Sequence, residues 1–224
     1  MDIAGVDEAG RGCVIGPLVI CAFACNAEVE KTLRPMGVRD SKEVPQEERV
    51  KLYTQLKKLG KFTVDAITAE LITQKMRAKI SLNDVEAKSA SLLLKRLHEK
   101  IAFERAYVDS PDPRPEKFEQ RIRKHANHAF AIVSRNKADR DFPVVGAASI
   151  IAKAIREEEL AAIKKQLAAA GLQGDLGTGY SHDARTIKFL NENWSNPALK
   201  PFVRWEWATA KNVQTRQMDL GKFL

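Results

Sequence analysis

Asp2-Ile3-Ala4-Gly5-Val6-Asp7-Glu8-Ala9-Gly10-Arg11-Gly12 is the stretch that decides the fold. Residues 2–7 read as a short apolar strand, and the strand closes on two adjacent carboxylates and a Gly-Arg-Gly turn. At about 4 Å separation and an effective dielectric near 20, two such charges repel by roughly 4 kcal/mol. Neither Asp7 nor Glu8 has a capping job that would explain it. A divalent cation relieves the repulsion, so the pair reads first as part of a metal site.

Outward from this strand, Val14 to Ala24 is a longer apolar run in which Cys21, Phe23 and Cys25 alternate, so the cysteines belong in a buried strand. A helix is expected over Gln46 to Leu59 and a strand over Lys61 to Thr68. Ser81-Leu82-Asn83-Asp84 opens a helix reaching about Lys100. Arg105 to Asp109 is a brief strand stopped by Ser110-Pro111-Asp112-Pro113. A helix near 115–125 and a last strand over Ala129 to Ser134 follow. Pro143 opens the longest helix, which the glycine-rich stretch Gly171 to Gly179 ends. Helical patterns then run from Asp183 to Asn193 and from about Ala198 to Val213. Five strands interleaved with helices predict an α/β fold, a mixed sheet flanked by helices with a C-terminal helical part.

The 224 residues suit one ordinary domain with a small helical appendage. The chain carries 37 Lys and Arg against 29 Asp and Glu, a formal charge of +8. A basic body around an acidic pocket suits a polyanion cut by metal-assisted chemistry. The three cysteines lack zinc spacing and predict a reducing, cytoplasmic setting. No apolar stretch approaches a membrane span and no signal peptide is visible.

Asp109 and Asp139 stand at the ends of later segments and complete a set of four acids with Asp7 and Glu8. Strand ends form a rigid edge from which several oxygens can be aimed at one point, and oxygen-only ligation selects Mg²⁺ or Mn²⁺. Two ions about 4 Å apart can drive in-line displacement at phosphorus. Taken singly, Asp109 also begins a turn and Asp139 precedes a helix, so local roles would explain each. A junction resolvase or transposase-type nuclease would use the same carboxylates. A non-catalytic nucleic-acid-binding module would use the positive surface alone and offer no reason for the acids.

The segment Gly5-Val6-Asp7-Glu8-Ala9-Gly10-Arg11-Gly12, with Gly16-Pro17 and Asp40-Ser41-Lys42, resembles type 2 ribonuclease H (ribonuclease HII). Further matches are Val108-Asp109-Ser110-Pro111, Lys137-Ala138-Asp139, Pro143 to Lys153 and Gly177-Thr178-Gly179-Tyr180, in the family's order and over nearly the whole chain. The resemblance implies a ribonuclease H-like five-stranded sheet. It also implies a catalytic domain over 1–170, a C-terminal helical part over 171–216 packed on it, and a tail over 217–224. Asp7, Glu8, Asp109 and Asp139 would be the catalytic, metal-binding acids, the first three as the main metal ligands and Asp139 completing the site, with Asp141 a nearby rival for the last. Gly10, Arg11 and Gly12 would sense a ribose 2′-hydroxyl through their backbone, Tyr180 would stack on the sugar, and Lys42 and Lys153 would meet phosphates. The implied activity is cleavage of RNA in RNA–DNA hybrids, and 5′ of single ribonucleotides in duplex DNA, leaving 3′-hydroxyl and 5′-phosphate ends. The Gly-Arg-Gly turn counts against the general nuclease. One departure is Tyr180-Ser181-His182, where similar archaeal chains carry proline after the tyrosine.

In the tail, Gln217, Leu220, Phe223 and Leu224 have the spacing of a sliding-clamp peptide, in which one helical turn places apolar side chains in a groove. A terminal helix folded back on its own core is the alternative. His125 and His128 are expected on an exposed helical face, Trp194, Trp205 and Trp207 as packing residues, and the chain as a monomer.

Overall fold

A computed structural model of the chain describes residues 2–38 and 44–220, with side chains placed up to 216. In chain order the elements are β1 (Asp2–Ala9), β2 (Leu18–Asn26), α1 (Ala27–Leu33), α2 (Gln46–Leu59), β3 (Lys61–Ile67), α3 (Ala69–Arg77), α4 (Leu82–His98) and β4 (Arg105–Asp109). They continue with α5 (Pro115–Arg123), β5 (Ala131–Arg135), α6 (Ala138–Asp141), α7 (Pro143–Ala169), α8 (Ala184–Asn193), a 3₁₀ turn (Lys200–Phe202) and α9 (Ala208–Leu220). The strands make one five-stranded sheet in the order β3-β2-β1-β4-β5. β1 pairs antiparallel with β2 and parallel with β4, which pairs parallel with β5. The sheet is therefore mixed, as the alternation of elements predicted.

The differences from the expected elements have local causes. The run Val14 to Ala24 is split, because Pro17 has no N–H to give a ladder and β2 begins only after it. Val14 and Ile15 instead donate their N–H groups to Gly179 O at 2.8 and 3.1 Å. Helix α3 is not among the expected elements: Thr68 ends the expected strand, but its hydroxyl accepts from Leu71 N at 3.2 Å and caps the helix. The last helix starts ten residues late, after the 3₁₀ turn that contains Pro201. His125 and His128 lie beyond α5 rather than on it, and His128 is half-buried with Nε2 2.9 Å from the Ser91 hydroxyl. Cys21 and Cys25 are buried and unbridged, as expected.

The described residues fall into two compact units, neither continuous in sequence. The first comprises those of 1–9, 19–65 and 82–155, and the second those of 10–18, 66–81 and 156–224. This division follows contacts, whereas a boundary near 170 follows element type. The first unit holds the sheet, apart from Leu18 of β2 and the last two residues of β3, and the start of α7. The second has its own core, in which Val14, Ile15, Leu160, Ile163, Phe189, Leu190 and Val203 are buried, with Trp194, Trp205 and Trp207 packed against them.

Within the first unit, β1 and the opening of α7 touch backbone to backbone. A Cβ on Gly5 would lie 2.4 Å from Val144 C and 2.5 Å from Val145 N, both main-chain atoms that cannot swing aside. Only glycine lets the helix sit this close to the strand that carries Asp7. Gly5→Ala should cost about 1–3 kcal/mol, the scale of overpacking a tight core. Urea denaturation checks this, and an unchanged midpoint would contradict the close packing.

Candidate active site

The parallel register of β1 with β4 ends at Val6↔Val108, so Asp7 and Asp109 are the next residues on neighbouring strands. Carboxylate oxygens of Asp7, Glu8 and Asp109 come within 4.8 Å of one another. All three belong to the first unit. Asp7 is buried and the other two are half-buried. Asp7 Oδ1 accepts from Glu8 N at 2.7 Å, and Asp109 Oδ1 accepts from Ala138 N at 2.6 Å. The second bond ties the start of α6, where Lys137 takes the left-handed conformation (φ 57°), to the end of β4.

Burial pushes the Asp7 carboxyl well above the usual carboxylate range, and the Glu8 charge raises it further, as Asp139 does more weakly. The Ser149 hydroxyl and the Glu8 amide oppose the shift. Asp139 thus acts on Asp7 through its charge, yet it stands outside the three-carboxylate group. Asp141, its rival, is exposed, and its main-chain oxygen accepts from Arg34 Nη2 at 3.0 Å. The donor set suits a hard divalent cation: oxygens only, converging from two rigid strands, and costly to keep charged without one.

Ser149 is a partner of Asp7 that sequence reasoning missed. It is a buried hydroxyl among Ala147, Ala148, Ile150 and Ile151 on α7, and a polar residue inside that apolar run was the available signal. Lys153 follows it by one helical turn on the same helix face. Lys42 lies outside the described residues, as do the side chains of Gln217 and Leu220 and the whole of Phe223 and Leu224.

The Gly-Arg-Gly turn and Tyr180 belong to the second unit, where the structure brings them together. Cys13 and Tyr180 form a β-bridge, and a Cβ on Gly12 would meet the Tyr180 ring at 3.8 Å. Gly10 has φ +84°, and a Cβ there would be 2.5 Å from Arg156 Nε and 2.7 Å from Pro17 O. Arg156 is buried, donates to Thr178 O at 2.7 Å and Cys13 Sγ at 2.8 Å, and stacks 4.8 Å from the Tyr180 ring centre. Burial raises the Tyr180 phenol above its usual value, so it stays protonated at neutral pH. Arg156 and the fully buried Arg204 were both missed, because a lone arginine in a helical pattern reads as surface charge.

A family model described as Ribonuclease HII matches residues 4–210. The ribonuclease HII of Methanocaldococcus jannaschii is 39% identical over 225 residues, covering 95% of each chain. A crystal structure of the ribonuclease H2 from Pyrococcus horikoshii OT3 superposes with a TM-score of 0.83 at 34% identity, covering 96% of this chain and 98% of that one. The ribonuclease HII in a structure of the PCNA:RNase HII complex from Archaeoglobus fulgidus gives 0.80 at 37% identity, over 92% and 95%.

With chelator present, the raised Asp7 carboxyl sets the sign of a pH effect. Its stabilising neutral form is full below about pH 4 and is lost as pH rises through the folded-state value. Asp7→Asn should therefore flatten this loss and melt higher than the parent at pH 7 in EDTA. In the parent, Mg²⁺ or Mn²⁺ at 100 times its Kd should add about 2.7 kcal/mol. Thermal melts with and without metal check both, and a variant that melts lower in EDTA would show that the Asp7 charge is not a burden.

Proposed function

The chain belongs to the ribonuclease HII family and is a ribonuclease H, an endonuclease of RNA–DNA hybrids, and from this premise we propose that it also cuts duplex DNA 5′ of a single embedded ribonucleotide. The convergence of Asp7, Glu8 and Asp109 within 4.8 Å at the ends of two adjacent strands supports metal-assisted cleavage. The Gly10-Arg11-Gly12 turn beside Tyr180 is the observation that carries the ribonucleotide preference. Asp7, Glu8 and Asp109 would hold the metal, and Asp139 would complete the set. Two Mg²⁺ or Mn²⁺ ions held there would supply activation of the attacking water and stabilisation of the leaving oxygen. The products are a 3′-hydroxyl and a 5′-phosphate.

The chain's own residues do the rest. Ser149 and the Glu8 amide hold the Asp7 carboxylate in one orientation, so that little reorganisation is left to the reaction. The backbone of Gly10, Arg11 and Gly12 reads the ribose 2′-hydroxyl, which is what separates RNA from DNA at a site. Tyr180, clamped under Arg156, stacks on the sugar. Lys153 and Lys42 meet phosphates. The tail residues Gln217, Leu220, Phe223 and Leu224 engage a sliding clamp, and the PCNA complex of the Archaeoglobus fulgidus relative supports this. The protein acts as a cytoplasmic monomer in ribonucleotide removal and RNA primer processing. No helix among the described residues is long and apolar enough to cross a membrane.

An end-labelled duplex with one ribonucleotide, incubated with Mg²⁺, Mn²⁺ or EDTA, tests the cleavage. A single metal-dependent cut 5′ of the ribonucleotide is expected, with none in the all-DNA duplex. Asp109→Asn should lower the rate by at least about 10³-fold, the scale seen when one member of a catalytic unit is removed. Equal cutting of both duplexes would point instead to a general two-metal nuclease. Deleting residues 217–224 should abolish co-elution with a sliding clamp and leave cleavage of the free duplex unchanged; retained co-elution would place the clamp contact elsewhere.

A further inference from the structure

Arg204 sits with no exposed surface in the second unit, and its guanidinium is spent on main-chain carbonyls. Nη1 donates to Arg11 O at 2.8 Å. Nη2 donates to Gly10 O at 2.8 Å and to Gly16 O at 3.1 Å, and Nε to Gly16 O at 3.2 Å. The Trp207 ring covers the guanidinium with its centre 5.0 Å away. The backbone of Arg204 is itself pinned, its N–H donating to Val14 O at 2.9 Å and its carbonyl accepting from Trp207 N at 3.0 Å. Burying a cation is costly unless its donors are satisfied, and a surface arginine would serve if the fold needed only charge.

The direction of these bonds has a consequence for the turn. In a planar trans peptide the C=O of one residue and the N–H of the next point in opposite directions, and the described residues contain no cis peptide. Gly10 O, which also accepts from Cys13 N at 3.2 Å, and Arg11 O are both drawn to Arg204, so the N–H groups of Arg11 and Gly12 both point away from it. Gly12, the second of the pair, is exposed. One buried guanidinium thereby aligns two successive amides, a paired donor of the kind that receives an oxygen.

We propose that Arg204 is the positioning residue for ribose recognition: through the carbonyls of Gly10 and Arg11, it orients the Arg11 and Gly12 amides toward the substrate's 2′-oxygen. The inference rests on the reading of this turn as the 2′-hydroxyl sensor and assigns what holds the sensor in register. Arg204 itself touches no substrate. Arg156 acts at the other side of the turn, closing the space beside Gly10 and carrying Tyr180, and leaves the two carbonyls to Arg204.

The test measures binding without cleavage, in the full chain carrying Asp109→Asn, to two duplexes of one sequence: one with a single ribonucleotide and one of DNA only. The ratio of the two Kd values reports 2′-hydroxyl recognition by itself. Arg204→Lys keeps the charge but loses the fork that spans several carbonyls. It should lower the ratio by about 3- to 10-fold, the worth of one or two hydrogen bonds, with all-DNA affinity unchanged. A folded Arg204→Lys protein that keeps the parent ratio overturns the proposal. A parent ratio near one instead overturns the sensor reading beneath it, so the two failures are separable. If Arg204→Lys does not fold, ¹⁵N spectra of the parent decide. Arg204 guanidinium protons should exchange far more slowly than those of exposed arginines, and the Arg11 and Gly12 amides should shift with the ribonucleotide duplex but not with DNA. Fast exchange at Arg204, or amides that respond equally to both duplexes, overturns it.

Discussion

As the proposed metal ligand, Asp7 would carry a negative charge in a place that opposes one. Its carboxyl is buried, beside Glu8 and within reach of the Asp139 charge, and only the Ser149 hydroxyl and one amide favour ionisation. Such a residue cannot be left on a mobile support, because a small retreat toward water would relieve the strain and disperse the cluster. The first unit supplies rigidity in two ways. β1 is hydrogen-bonded on both sides, by β2 and by β4, and α7 lies against it at Gly5 with no side chain between. The same helix that closes on Gly5 through Val144 delivers Ser149 to Asp7, so packing and electrostatics at the site are set by one element.

The second unit solves a different problem, that of holding a glycine turn still. Gly10 and Gly12 have no side chains to anchor them, and the freedom that lets backbone approach a ligand would also let it wander. Two buried arginines remove that freedom. Arg204 takes the carbonyls, and Arg156 fills the space beside Gly10 and bonds to Thr178 and Cys13. On the proposed reading, recognition through these main-chain amides would thereby be made as definite as recognition through side chains, at the cost of burying two cations.

Much of this was legible beforehand. The strand ending in Asp7-Glu8, the brief strand ending in Asp109, the long helix from Pro143 and the packing role of the tryptophans each follow from short-range pattern, and the structure has them. The misses share one cause. The split after Ile15, the cap at Thr68 and the late start of α9 depend on single hydrogen bonds or on a proline's missing donor, which hydrophobic periodicity does not register. Ser149, Arg156 and Arg204 look like any polar residue in a helix-rich stretch until their partners are known.

The residue types and their order by themselves determined the α/β class, the mixed sheet and the acids most exposed to mutual repulsion, because alternation, turn chemistry and charge spacing act over a few residues; the family came from the resemblance of its ordered motifs. The grouping of Asp109 with Asp7 and Glu8, which the resemblance implied, is made physically by strand register, and only tertiary structure supplied Ser149 as a partner of Asp7. It alone decided, too, that Arg204 reaches back across 194 positions to Gly10. Those outcomes rest on strand register and on the burial of charge. Both are set by contacts between distant segments, and neither leaves a mark on neighbouring residues in the chain.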